Sequence, residues 1–241
     1  MGVGFIHGVM NTDNTLISGE TIDYGPCAFI DRYHPQTVFS SIDNIGRYAF
    51  DNQPNVLVWN IAQLASSLLI LEADPDGSIR EYEEIVHAMP DRLAIEHTRV
   101  FGKKLGLSEM RLGDQDLIDR ILAMMADHQA DFTNTFRGLA TGVAPSELTN
   151  TSDFKDWEKS WKYRLKSEPS PEKMMLSANP ALIPRNHRIE QMIDAAVSGD
   201  LSVFTRFMTA LSKPYSDTSE FEDLTLPPKK HEEVEATYCG T

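Results

Sequence analysis

Apolar positions between Val56 and Leu71 fall on most faces of a helix: Val56, Trp59, Ala62 and the leucines from 64 to 71. Such a pattern predicts a deeply buried helix. Breaks at Asn60, Gln63 and Ser66-Ser67, and a length short for a bilayer, argue against a membrane span. Helical spacing continues downstream. Asp74-Pro75-Asp76-Gly77 reads as a plain turn with Ser78 as candidate cap, and Ile79, Tyr82, Ile85, Val86 and Met89 then form a stripe ending at Pro90. A further helix is expected over about 91–104, stopping at Gly106. Asp114 is placed to cap a helix that carries Leu117, Ile118, Ile121, Leu122 and Met125 on one face. Phe154, Trp157, Trp161 and Leu165 mark another, with both tryptophans read as core anchors. After irregular stretches at 167–171 and 179–187 two helices follow, the second capped by Asp200 with Val203, Phe204, Phe207, Met208 and Leu211 inward.

The opening is different in kind. Residues 4–26 read as short extended pieces joined by turns, with Gly19 suited to a hairpin turn, and residues 26–54 read as an ordered loop region. From Ser216 onward the chain is acidic and contains prolines, the composition of a mobile tail. The fold class expected is mainly α, with a small β-hairpin at the start. The organisation expected is one domain over 1–215, divided into a hairpin and loop (1–54) and a helical part (55–215), then an acidic mobile tail (216–241).

The 241 residues carry 36 acidic against 22 basic side chains, a net charge of -14. That excess repels phosphate backbones and no Lys/Arg-rich run offsets it, so nucleic acid is not an expected partner, and neither is a membrane. Cys27 and Cys239 form no disulfide framework or metal knuckle. Reduced thiols and the lack of a signal peptide give a cytoplasmic expectation.

The chemistry concentrates in residues 7–26, HGVMNTDNTLISGETIDYGP. Protein kinases carry a catalytic loop H-R-D-L-x-x-x-N followed by D-F-G, because an Asn oxygen and an Asp carboxylate must hold Mg²⁺ against nucleotide phosphates. His7 and Asn14 stand seven apart, the kinase offset, and Asp23-Tyr24-Gly25 takes the D-F-G place. The kinase catalytic Asp would fall at Val9, which accepts no proton, although Asp13 sits beside Asn14. His7 is expected to hold the loop through packing and hydrogen bonds. A polar hairpin with no metal remains the alternative at this level.

HGVMNTDN followed by TIDYGP closely resembles the SelO family of protein adenylyltransferases, which have a pseudokinase fold. GRYAFDNQP at 46–54, WNIAQLA at 59–65 and NPALIPRNHRIEQMIDAA at 179–196 are similar to that family too. The resemblance implies a protein-kinase-like C-lobe whose hairpin carries the catalytic loop, and transfer of AMP from ATP to Ser, Thr or Tyr hydroxyls of proteins. It further implies Asp13 as proton acceptor, Asn14 and Asp23 as ligands of Mg²⁺ (or Mn²⁺), and Asp23 as an ATP contact. A near-terminal cysteine such as Cys239 fits a redox role in the family.

The resemblance covers only the second half of that family, with the β-rich N-lobe and its phosphate-contacting Lys and Arg expected to be absent. Two functions follow as expectations. One is an adenylyltransferase represented by its C-terminal lobe. The other is a catalytically silent remnant that at most binds partners, since positioning and charge neutralisation carry most of such catalysis.

Overall fold

The computed structural model describes residues 1–217 and 219–238; Cys239, and any redox role for it, lies outside the described residues. The chain is mainly helical, with two short strands, β1 (Phe5–Ile6) and β2 (Ala28–Phe29), forming the sheet. It divides into two compact units. The first comprises residues 1–5, 28–34 and 98–235, and the second 6–27, 35–97 and 236–241.

The first unit is built on helix pairs. α4 (Asp114–Asp127) packs on α7 (Ser152–Leu165), α5 (Phe132–Thr141) on α8 (Pro171–Ala178), and α9 (Asn186–Val197) on α10 (Ser202–Leu211). Its core holds Phe101, Phe132 and Phe136 in edge-to-face contacts, with centroids 5.1–6.3 Å apart. Trp157 and Trp161 are core anchors, as their spacing suggests. Their rings stack at 5.3 Å, and the indole N–H groups donate to Leu117 O and Leu105 O at 2.8 Å each. Both polar handles are therefore satisfied where burial would otherwise penalise them.

Charge is also buried here, and it is paired. Arg185 donates to Asp131 at 2.7 Å, and to Asp31 and Asn134, which ties residues far apart in sequence. Arg164 bonds Asp114 at 2.9 Å and Glu168 at 2.6 Å. Asp114 thus occupies the first position of α4 rather than its cap, because its carboxylate is taken by Arg164 and by the Arg111 N–H. Of the residues expected inward on α10, Phe207 is buried with Ala210 against Leu182 and Leu224, whereas Val203, Phe204 and Met208 are exposed. α9, Leu182 and Leu224 cover only one side of α10, which leaves the rest of its apolar circumference exposed.

The acidic stretch beyond Ser216 carries a short helix, α11 (Glu222–Thr225), with Leu224 buried. Its carboxylates meet arginines: Asp217 with Arg137, Asp223 with Arg206 at 2.7 Å, and Glu233 with Arg32 at 3.0 Å.

The second unit contains the opening loop, α1 (Gln53–Leu68) continued by a 3-10 turn over Leu69–Leu71, α2 (Pro75–His87), and α3 (Met89–Lys104) as far as His97. Asp74, not Ser78, caps α2, accepting from the Gly77 N–H at 3.2 Å. The deep burial expected of the 56–71 helix is not found. Only Gln53, Val56 and Asn60 of α1 are buried, and no residue from 61 to 97 is. Within this unit α1 packs against α2, the opening segment and the short turns that flank it, which leaves much of an all-round apolar helix uncovered. Among the described residues, Phe50–Leu71 is the one helical stretch long and apolar enough to cross a membrane by length and composition.

Candidate functional site

The opening segment of the second unit folds as a turn-rich hairpin. Thr15 and Thr21 form an antiparallel bridge, and Gly19 turns the chain at φ +77°, a conformation a side chain would oppose. Before the bridge, Thr12–Asn14 make one 3-10 turn.

Two of the three expected site residues are brought into contact. The Asn14 side-chain amide donates to Asp23 Oδ2 at 3.1 Å and to Val9 O at 2.9 Å, so its Oδ1 is left as the acceptor face. Asp23 is held in the left-handed region at φ +56°, with its Oδ1 accepting from the Gly25 N–H at 3.2 Å. That short-range bond is the kind that lets Asp tolerate αL. Asp13 lies in the same 3-10 turn as Asn14 and is exposed.

The loop beneath is fixed by buried polar groups. His7 is buried; its Nδ1 accepts from the Val9 N–H at 3.4 Å, which leaves Nε2 to donate to Ile22 O at 2.9 Å. This bond ties the loop to the residue before Asp23, in agreement with the holding role expected of His7. The His7 N–H donates to Gln53 Oε1 at 3.1 Å. Asn60, on α1, donates to Met10 O at 3.0 Å and Thr15 Oγ1 at 2.7 Å. Tyr48 donates to Asn11 Oδ1, and Asp43 in turn accepts from the Tyr48 N–H at 2.7 Å. Gly8, at φ +83°, lies so close to Pro26 that a Cβ there would stand 2.5 Å from the Pro26 carbonyl oxygen.

Gln53, Asn60 and Tyr48 carry no chemistry in a sequence reading. Their signal was only that they sit in the segments GRYAFDNQP and WNIAQLA, where buried amides at helix positions are costly unless partnered. Cys27 is half-buried and its Sγ donates to Tyr24 O at 3.1 Å. Burial, with Asp23 nearby, pushes this thiol up, away from nucleophilic character.

The donor set suits a hard cation. An Asn oxygen and an Asp carboxylate are oxygen ligands of the kind Mg²⁺ takes one or two at a time, with substrate phosphates and water completing its shell. A dedicated all-protein cage is a different case: the described residues contain no group of three or more His, Cys, Asp or Glu able to hold a metal.

Comparison with known proteins gives this geometry a context. The family profile for the protein adenylyltransferase SelO matches residues 1–212. A protein nucleotidyltransferase YdiU from Ruegeria sp. (strain TM1040) is 56% identical over the whole chain, which covers 51% of that relative. Those from Ruegeria pomeroyi and Roseobacter denitrificans are 54% and 49% identical over the same span, again 51% of each relative. The chain therefore spans about half the length of the curated relatives it matches. With a match running through the hairpin, α1 and the helices to residue 212, the chain belongs to the SelO family of protein adenylyltransferases.

Proposed function

We propose that this chain supplies the metal-binding half of a protein adenylyltransferase site, on a protein-kinase-like C-lobe. The observation that carries the reading is the contact between Asn14 and Asp23, with Asp13 in the adjoining turn. In this reading Asn14 Oδ1 and Asp23 hold Mg²⁺ or Mn²⁺, and Asp23 faces the ATP phosphates. The bound cation would neutralise charge on the phosphates during transfer. Asp13 accepts the proton of a Ser, Thr or Tyr hydroxyl on a target protein. The hydroxyl oxygen forms a bond to the α-phosphorus, the bond from that phosphorus to the bridging oxygen breaks, and pyrophosphate leaves.

A second reading, that the chain is silent by itself, is favoured by one feature. Residues 6–27 contain no Lys or Arg, so the hairpin has no cation of its own to clamp a triphosphate. Incubation with ATP labelled at the α-phosphate, Mg²⁺ or Mn²⁺ and candidate proteins separates the two. Label transferred by the chain alone and lost on Asp13→Ala supports adenylyl transfer and overturns the silent reading, whereas label that appears only when the chain is joined to the other half of a family member supports both. No label in either form overturns adenylyl transfer.

A further inference from the structure

From 61 to 97 the second unit contains no buried residue, although α1 carries a continuous apolar stripe. Leu57, Ile61, Leu64, Leu68 and Leu71 recur at intervals of four, three, four and three, one face of a helix. At the hairpin end this stripe borders a groove of about 280 Å³, walled by Leu16, Ile17, Ile61 and Leu64. Ile17 stands 90% exposed on its rim. Thr12 and Thr15 also line it, and they flank Asp13 and Asn14 directly. The unfinished apolar surface and the site are thus parts of one region of this unit.

We propose that this face of α1 and its groove dock the half of the SelO-family chain that this polypeptide does not match. An apolar stripe of this length on a folded domain marks an interaction surface. The relatives match this chain from end to end yet carry about as much chain again, so the family itself holds an occupant of the required size. Seated there, the occupant would lie against the turn that bears Asp13 and Asn14.

Lipid fits less well. α2 packs beside α1, and residues 72–84 hold Glu72, Asp74, Asp76, Glu81, Glu83 and Glu84 against Arg80, a field that anionic headgroups repel. A second copy would bring the same acidic helix to the seam.

The inference concerns docking and stands apart from adenylyl transfer. Its test uses a chimera in which this whole chain replaces the matched half of the Ruegeria sp. relative. Cysteines placed by Leu64→Cys and Leu68→Cys are labelled with a maleimide and quantified by peptide mass spectrometry. The expected result is labelling at least tenfold slower in the chimera than in the chain alone. Independently, Leu64→Asp combined with Leu68→Asp should lower the melting temperature of the chimera by more than that of the chain alone, where each leucine is already partly covered. Equal labelling rates, or equal effects of the aspartates in both forms, overturn the proposal. So does a chimera that aggregates where its parent folds, because the docking half would then lack a matching surface. Protection in the chain alone, through dimerisation or through vesicles of phosphatidylcholine and phosphatidylglycerol, assigns the face to a second copy or to lipid and likewise overturns it.

Discussion

Asn14 and Asp23, nine residues apart, meet through a 3.1 Å hydrogen bond from the Asn amide to the Asp carboxylate. The contact exists because Asp23 adopts φ +56°, which turns its side chain back toward its own Gly25 N–H and toward the 3-10 turn. Asp23→Asn keeps the residue type that best tolerates this backbone while removing the charge. Its melting temperature is therefore expected to stay within about 2 °C of wild type, since Asp23 is exposed and the substitution removes no packing. Mn²⁺ affinity, followed by electron paramagnetic resonance, should fall by about tenfold or more, as losing an anionic ligand of a hard cation implies. Unchanged Mn²⁺ binding would remove Asp23 from the site.

Two glycines with similar backbone angles make a controlled comparison. Gly8 and Gly19 have φ of +83° and +77°, but a Cβ at Gly8 meets Pro26 O at 2.5 Å, whereas at Gly19 nothing lies within 4 Å. Gly19→Ala is expected to cost about 1 kcal/mol, the conformational penalty alone. Gly8→Ala adds a clash with buried backbone and should cost about 3 kcal/mol. Urea denaturation of both variants reads the difference directly; equal losses would mean that the Gly8–Pro26 approach is looser than it stands.

Local signals carried the parts of the fold that depend on neighbours in sequence. The hairpin over Thr15 to Thr21, the helix spanning Trp157 and Trp161, and the meeting of Asn14 with Asp23 all follow from turn chemistry, spacing and residue type. What was illegible depends on distant partners. The 53–68 helix shows that it is apolar, but its periodicity says nothing of what covers it, so the burial expected there was not found. Asn60 gave no hint that it would reach the Met10 carbonyl fifty residues away. Arg185 joins Asp31 and Asp131 for the same reason: a buried guanidinium takes whatever carboxylates the fold brings to it.

Asn60 offers a test of how the loop is held. Asn60→Ala removes two hydrogen bonds and leaves the Met10 carbonyl without this donor, a loss expected to cost about 1–3 kcal/mol. Because Met10 and Thr15 bracket the turn that carries Asn14, Mn²⁺ affinity should fall as well, though Asn60 touches neither expected ligand. Asn60→Asp should do worse, setting a carboxylate against a carbonyl oxygen. A variant that loses stability but keeps full Mn²⁺ affinity would show that the turn holds its shape without α1.

Lys104 is fully buried in the first unit, with its Nζ 4.3 Å from the Phe136 ring centroid and 5.0 Å from that of Phe132. Burial lowers its pKa from 10.5 to about 7, since the two ring faces replace only part of the lost hydration. The sign of the pH effect follows from proton counting. Below pH 7 both folded and unfolded chains hold the proton, and the folded state carries the full cost of a buried ammonium. Between pH 7 and 10.5 the unfolded chain still holds the proton and the folded chain does not, so stability rises with pH. Above that window the contribution is level. Lys104→Met fills similar volume without a charge, so it is expected to stabilise the protein at pH 7 by about 1–3 kcal/mol. The gain should shrink as pH is raised toward 10. Urea midpoints for wild type and variant at pH 6.5, 8 and 9.5 measure this once the Met1 amine is blocked by acetylation in both proteins, because Lys104 helps to lower the pKa of that amine and its titration would not cancel in the difference. A gap between the two proteins that stays constant across the series would mean that Lys104 keeps its proton in the folded chain.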